Sequence, residues 1–137
     1  MTTIRLATDK DNPQILKISK DLNLYYPTLS LTDFWVAEKG QKIIGMAQLA
    51  TYGKIAFLSS VGVVKTEQSH GIAKELISKA LATTDKDTYL YTVIPDFFKK
   101  FGFETTQEKP ADLPSKGRYI CEECFSDKCV TMIKHAA

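Results

Sequence analysis

The sequence predicts one α/β domain in which helices connect the strands of a mixed sheet. The chain has 137 residues, 44% of them hydrophobic and 25% charged, which is the composition of a globular domain with a core of its own. Strand-like apolar runs alternate with amphipathic stretches in the order β-α-β-β-β-α-β-α-β-β. The most informative segment is the apolar run Ile55–Val64, which is followed by the polar turn Lys65–His70 and by a helix that begins after Gly71.

The first two elements are a strand at Thr3–Thr8 and a helix that starts near Pro13. Proline is tolerated in the first turn of a helix, and the side chains of Asp11 and Asn12 are of types that cap free N–H groups there. The apolar stripe of this helix consists of Ile15, Leu16, Ile18 and Leu22.

Three antiparallel neighbours should follow. Phe34–Glu38 and Lys42–Thr51 flank the glycine-bearing turn Lys39–Gln41, which predicts a hairpin. The turn Tyr52–Lys54 then leads into the strand Ile55–Val64.

The second helix and the C-terminal elements complete the sheet. One face of the second helix carries Ile72, Ala73, Leu76, Ile77, Ala80 and Leu81. The remaining predicted elements are strands at Thr88–Val93, Phe103–Gln107 and Val130–Lys134, and a short helix Asp96–Phe101 that starts at Pro95 and ends at Gly102.

Charge and hydropathy exclude several classes of protein. Eighteen basic and 16 acidic residues give a net charge of +2, too balanced for nucleic-acid binding by bulk electrostatics. No apolar run approaches the roughly 18 residues that span a bilayer, and the N-terminus has no secretory h-region. We therefore expect a cytoplasmic protein with neither membrane nor nucleic-acid partners, and leave a homodimer open.

The strand, turn and helix start around Gly71 form a candidate anion site. Backbone N–H groups and the positive end of the helix dipole converge there, and glycine allows a diphosphate to approach the backbone. Lys65 and Lys74 add positive charge nearby. The alternative is an ordinary strand–loop–helix connection, and neither the P-loop spacing nor G-x-G-x-x-G is present.

At this point the sequence resembles the GNAT acetyltransferases. Gln68–Ala73 is similar to their Q/R-x-x-G-x-G/A motif, Leu58–Val64 corresponds to their splayed and bulged strand, and Tyr91–Glu104 resembles their next strand and helix with its G-F ending. Within that superfamily the chain is most similar to small amino-acid N-acetyltransferases of the N-acetylglutamate synthase kind. The resemblance implies a GNAT fold over residues 1–137, with the cysteine-containing segment 113–137 included, a mostly antiparallel sheet splayed at its central strand, and helices on both faces.

The resemblance also implies an N-acetyltransferase with acetyl-CoA as co-substrate. The acetyl carbonyl and pantetheine arm would lie along Val61, Gly62 and Val63, and the diphosphate would lie on main-chain groups of the 68–73 motif. The cofactor-binding residues implied are Val61, Gly62, Val63, Gln68, Ser69, His70, Gly71, Ile72, Ala73 and Phe98. Tyr25 and Tyr26 lie in the loop that covers the acceptor in relatives, with aromatic packing as the alternative, and Ser59 is a third acceptor candidate.

Three positions depart from the family pattern. Gln68 replaces the usual arginine and removes its charge, and Ser59 stands where glutamate-acetylating relatives tend to carry arginine. Phe98 occupies the position of a tyrosine general acid and cannot donate a proton. Tyr91 and Thr92 are the nearby hydroxyl candidates for that role, and no general base stands out.

An α-amine is the acceptor that this chemistry favours. At pH 7 roughly a tenth of α-amines with a pKa of about 8 are neutral, against a few in ten thousand lysine side chains. We therefore expect an amino acid or a small amine to attack the thioester directly. The rivals are a non-catalytic acetyl-CoA-binding regulatory module and a small metal-stabilised interaction domain.

The three cysteines lie late in the chain. Cys121, Cys124, Cys129 and His135 are compatible in residue type with a tetrahedral zinc site, although their spacing is not that of a standard knuckle. Reduced thiols without a metal are the expectation, with zinc and a redox bridge as alternatives.

Overall fold

The structure is a computed structural model that describes residues 2–26, 29–68, 70–114 and 129–136. The strands are β1 (Thr2–Leu6), β2 (Phe34–Lys39), β3 (Lys42–Tyr52), β4 (Ile55–Val63), β5 (Asp87–Thr92), β6 (Glu104–Thr105) and β7 (Val130–Lys134). The helices are α1 (Asn12–Asp21), α2 (Ile72–Leu81) and α3 (Pro95–Lys99). Short 3-10 turns at Asp9–Asp11 and Lys65–Glu67 precede α1 and α2.

These strands form one mixed sheet in the order β1-β2-β3-β4-β5-β7-β6. All neighbours are antiparallel except β4 and β5, which run parallel. The predicted α/β class, the antiparallel β2-β3-β4 neighbours and the strand near the C-terminus are confirmed. The predicted strand Phe103–Gln107 is shorter than expected, since only Glu104 and Thr105 pair with β7.

Helices cover both faces of the sheet, as predicted. On one face Ile15 and Ile18 of α1 pack with Phe34, Val36 and Met46. On the other face, Leu76 and Ile77 of α2 pack into a larger cluster that includes Ala37, Ile44, Ala47, Leu58 and Leu90. The 3.6-residue period of the apolar positions places each stripe against the sheet, because burial of those side chains is the main stabilising contribution.

The start of α1 differs from the prediction in one detail. Asp11 is the N-cap residue, yet its side chain accepts no capping hydrogen bond from α1. Its carboxylate instead accepts from Arg5 Nη1 at 2.8 Å, Arg5 Nη2 at 3.0 Å and the Thr8 backbone N–H at 2.8 Å. The buried acid therefore connects β1 to the start of α1.

Candidate functional site

A cleft opens in the middle of the sheet where β4 and β5 separate. The two strands pair only at Ile55–Asp87, Ala56–Thr88 and Phe57–Tyr89, after which no β4–β5 pairing continues. The resulting cleft has a volume of about 490 Å³. It is lined by Asn23, Leu24, Tyr25, Tyr26, Phe57, Leu58, Ser59, Ser60, Val61, Leu90, Tyr91, Thr92, Val93, Ile94, Phe98 and Cys129.

A β-bulge accompanies the separation. Between the Met46–Gly62 and Gln48–Ser59 pairs, two steps along β3 oppose three steps along β4. Ser60 takes up the extra residue with a φ of +54°, which is uncommon for a residue with a side chain. The splay and bulge that the family resemblance implied are therefore present in the strand where they were expected.

The end of β4 presents main-chain groups on its open side. The Val64 N–H donates to Ile44 O on β3 at 2.9 Å. Because N–H groups alternate in direction along a strand, the neighbouring Val63 N–H points to the side where β5 has separated. Leu22 and Leu24 pack directly on Gly62, since a Cβ there would lie 2.8 Å from Leu22 Cδ1 and 2.9 Å from Leu24 Cδ1 and both side chains would have to shift.

The turn between β4 and α2 leaves the helix start open. Gly71 is the N-cap of α2 with a φ of +77°, and no side chain among the described residues caps the helix there. Among the described residues, none beyond its chain neighbours has an atom within 4 Å of where its Cβ would stand. The left-handed backbone at residue 71 therefore favours glycine, and the space beside this glycine is available to a ligand.

The neighbouring side chains of this turn have different surroundings. Gln68 Nε2 donates to the Val63 carbonyl at 2.9 Å, so this side chain connects the turn to the end of β4. His70 is exposed, and Ser69 lies outside the described residues. Ile72 is buried and Ala73 half-buried at the base of α2, where a Cβ on Gly45 would lie 3.1 Å from Ile72 Cγ2.

The charge balance near this turn is positive. Lys39 Nζ lies 2.9 Å from Glu67 Oε1, and this hydrogen bond lowers the pKa of the Glu67 carboxyl. The acid within the turn is therefore paired, and two exposed lysines, Lys65 and Lys74, face one exposed acid, Glu75, in the first turn of α2. An anion at the start of α2 would meet N–H donors and exposed cations.

The three predicted acceptor-side residues all line the cleft. Tyr26 is buried and Tyr25 is exposed, with Lys20 Nζ 5.2 Å from the centroid of the Tyr25 ring. Ser59 Oγ donates to Gln48 Oε1 at 3.2 Å. The structure thus brings the predicted acceptor residues from two segments to one cleft. Tyr25 and Tyr26 come from the chain after α1, and Ser59 comes from β4.

The predicted leaving-group candidates lie on the opposite wall. The Tyr91 hydroxyl donates to the Pro114 carbonyl, whereas Thr92 Oγ1 accepts from the Ile94 N–H at 3.0 Å. Phe98 also lines the cleft, and its ring packs edge-on against Phe97 and Phe103 at centroid distances of 5.0 and 6.2 Å. Their roles stay predictions.

Only two of the four residues of the predicted cysteine and histidine cluster lie in the described part of the chain. Cys121 and Cys124 lie outside the described residues, while Cys129 is buried at the cleft. His135 lies near two acids, with Nε2 3.4 Å from Glu104 Oε1 and Nδ1 3.9 Å from Asp87 Oδ2. Within the described ranges, no group of three or more His, Cys, Asp or Glu side chains is arranged to hold a metal ion.

Sequence reasoning missed Gln48. This residue is buried in β3, and its Nε2 donates to the carbonyls of Ser30 at 2.9 Å and Thr32 at 2.8 Å. The available signal was one amide side chain inside the otherwise apolar run Ile43–Leu49. Buried polar groups in such a run require partners, so they indicate a specific contact.

A comparison with protein families identifies the family to which this site belongs. The acetyltransferase (GNAT) domain family matches residues 30–105, more than half of the 137 residues. The chain belongs to the GNAT acetyltransferase family. The predicted GNAT acetyltransferase family is confirmed. An uncharacterised N-acetyltransferase from Chlorobaculum tepidum is 27% identical over 99 residues, which cover 69% of this chain and 63% of the relative.

Solved structures of other proteins have the same fold. N-acetylglutamate synthase from Neisseria gonorrhoeae, complexed with coenzyme A and N-acetyl-glutamate, matches with a TM-score of 0.77 and 20% identity. The match covers 100% of this chain and 35% of that chain. Ard1 from Thermoplasma volcanium matches with a TM-score of 0.72 and 19% identity, covering 99% of this chain and 98% of the other.

This chain therefore spans under two thirds of the Chlorobaculum relative and about a third of the synthase. No helix in the described part of the chain is both long and apolar enough to cross a membrane.

Proposed function

We propose that this GNAT domain transfers the acetyl group of acetyl-CoA to the amino group of an amino acid or a small amine. The observation that carries the proposal is the cleft between β4 and β5, which β4 connects to the uncapped start of α2. The diphosphate would lie against the backbone near Gly71, and the thioester end would enter the separation between the strands. Residues 61–63 and 68–73, with Phe98, would form the coenzyme side.

The open side of β4 suits the acetyl carbonyl. In direct attack, the amine lone pair forms the new C–N bond, negative charge grows on the carbonyl oxygen, and the C–S bond breaks to release the thiolate. A backbone donor such as the Val63 N–H, fixed by the sheet, would stabilise that oxygen without reorganisation. The nitrogen then loses its proton to solvent.

The cleft favours an amine that is already partly neutral. No carboxylate, imidazole, lysine or arginine is among the described residues that line it. Without a committed base, an α-amine or another amine of low pKa reacts more readily than a lysine side chain. This supports an α-amine, such as that of a free amino acid, as the acceptor.

Of the two candidates for a hydroxyl donor to the departing sulfur, Thr92 is the better placed. The Thr92 hydroxyl accepts from Ile94 and donates to no described residue, whereas the Tyr91 hydroxyl already donates to Pro114. We therefore expect Thr92→Val to lower kcat about tenfold and Tyr91→Phe about twofold. Equal losses, or a larger loss for Tyr91→Phe, would reassign the donor.

Thiol release from acetyl-CoA tests the function directly. Purified protein is assayed with a panel of free amino acids and small amines, with lysine-containing peptides and acceptor-free reactions as controls, and products are identified by mass spectrometry. Turnover of at least one free amine supports the proposal. Acetylation of peptides alone refutes the acceptor class, and calorimetric binding of acetyl-CoA without any turnover indicates the non-catalytic regulatory module instead.

A further inference from the structure

The buried Gln48 has only one orientation that satisfies its partners. Both N–H groups of its amide are used by backbone carbonyls, those of Ser30 and Thr32, in the segment that leads into β2. A flipped amide would place its oxygen against two carbonyl oxygens, which is unfavourable in a buried site. Gln48 Oε1 must therefore face β4, where Ser59 is its register partner.

The orientation of Gln48 determines the orientation of the Ser59 hydroxyl. Since Gln48 Oε1 can only accept, the Ser59 O–H must donate to it across 3.2 Å. A hydroxyl has one proton and two lone pairs, so Ser59 Oγ can then only accept from any other group. Ser59 lines the cleft, and the backbone carbonyls of residues 30 and 32 thus set its polarity through Gln48.

We propose that Gln48 is a positioning residue that makes Ser59 a hydrogen-bond acceptor in the acceptor half of the cleft. This inference rests on the proposed function and narrows its substrate class. The acceptor should present an N–H or O–H donor to Ser59, and a carboxylate at that place is disfavoured because its oxygens would face lone pairs. The described residues that line the cleft are consistent with this preference, because none of them carries a cation that would neutralise a carboxylate.

Matched acceptors that differ only by a carboxamide in place of a carboxylate test the inference. The pairs are glutamine with glutamate, asparagine with aspartate, and leucinamide with leucine, all at saturating acetyl-CoA. For at least one pair, the unsubstituted protein should give a kcat/KM at least tenfold higher for the carboxamide, because a site built to accept a hydrogen bond rejects a group that cannot donate one.

Three variants separate positioning from general damage. Gln48→Met frees the Ser59 proton to donate to a carboxylate, so the carboxamide-to-carboxylate ratio should fall at least threefold. Ser59→Ala should lower the ratio similarly, and adding Gln48→Met to it should change the ratio no further. Ser78→Ala, an exposed serine on α2, is the control and should leave the ratio unchanged.

The outcomes distinguish this inference from the proposed function. Turnover with carboxylates preferred in every pair, or an unchanged ratio in Ser59→Ala, overturns the inference and leaves the acetyltransferase function standing. A uniform loss for both members of each pair in Gln48→Met would show a structural role only. If thermal melting shows that Gln48→Met is unfolded, the ratio in Ser59→Ala decides. Absence of turnover with every amine would overturn the function and the inference together.

Discussion

The two long helices of this domain begin in opposite ways. At the start of α1, Pro13 removes one backbone donor, and the buried carboxylate of Asp11 binds Arg5 and the Thr8 N–H. At the start of α2, Gly71 offers no side chain, and none of the described residues caps the helix. Both helix starts present N–H groups and a positive dipole end, but the N-cap residue of α1 is a buried carboxylate held by β1, whereas that of α2 is an exposed glycine.

The comparison shows that two helix starts in one fold have different roles, one in stability and the other in binding. The first helix start is tied to β1 by the buried Asp11, so changes there should alter folding. The second is open, so changes there should alter coenzyme affinity. The predictions below test this division, from the largest expected effect to the smallest.

Removing the acid at the first helix start should have the largest effect. Asp11→Ala leaves the Arg5 guanidinium with the Glu38 carboxylate at 3.3 Å and the Leu6 carbonyl at 3.1 Å, and it leaves the Thr8 N–H without its acceptor. We expect the free energy of unfolding to fall by about 3 kcal/mol, measured by urea denaturation. The control is Asp21→Ala, which breaks the exposed Lys17–Asp21 pair at 2.7 Å and should cost under about 0.5 kcal/mol. Similar losses in both variants would contradict the assignment.

The same acid predicts how stability depends on pH. The hydrogen bond from Arg5 lowers the pKa of Asp11 from 3.8 to about 2. Because the folded-state pKa is depressed, this contribution is complete above the unfolded-state value and is lost as pH falls from about 4 towards 2. The unsubstituted protein should lose about 2 kcal/mol more over this interval than Asp11→Asn. Parallel pH profiles for the two proteins would contradict it.

At the second helix start, Gly71→Ala should weaken acetyl-CoA binding about tenfold. Its Cβ would occupy the space beside the free N–H groups, and its φ of +77° adds about 1 kcal/mol of strain. Gly40→Ala is a matched control, because Gly40 has a φ of +65° and an equally open Cβ position in the β2–β3 turn. Calorimetry should show an unchanged Kd for Gly40→Ala. Equal weakening in both variants would show that strain alone is responsible.

Sequence patterns predicted the elements of this fold well, because periodicity reports which face of each element is buried. The stripe of α2, for example, became the face that packs on Ala37 and Ile44. The splay was predictable only through the family resemblance. The local pattern of Leu58–Val63 does not predict that the neighbouring strand β5 separates from β4 after three residue pairs.

Side-chain partners were the part that sequence could not supply. Asp11 had the residue type of a helix cap, but its contact with Arg5 depends on how the chain after β1 turns back towards that strand. Gln48 depends likewise on carbonyls 16 and 18 residues away. Such contacts are set by tertiary geometry, and a single sequence contains no direct record of it.

The smallest effect compares two glutamines that connect the helix starts to the sheet. Gln14 Oε1 accepts from the Ile43 N–H at 2.8 Å beside α1, and Gln68 Nε2 donates to the Val63 carbonyl at 2.9 Å before α2. Each alanine variant should lower the free energy of unfolding by about 1 kcal/mol or less.

Only Gln68→Ala should also raise the Kd for acetyl-CoA, about threefold, because it releases the turn from the end of β4 where the coenzyme would lie. Calorimetric titration of both variants measures this difference. A threefold change in Gln14→Ala as well would show that the effect is not specific to this turn, and no change in Gln68→Ala would show that the turn keeps its binding geometry without this hydrogen bond. The main-chain path from Val63 to Gly71 would then be sufficient to define the anion site.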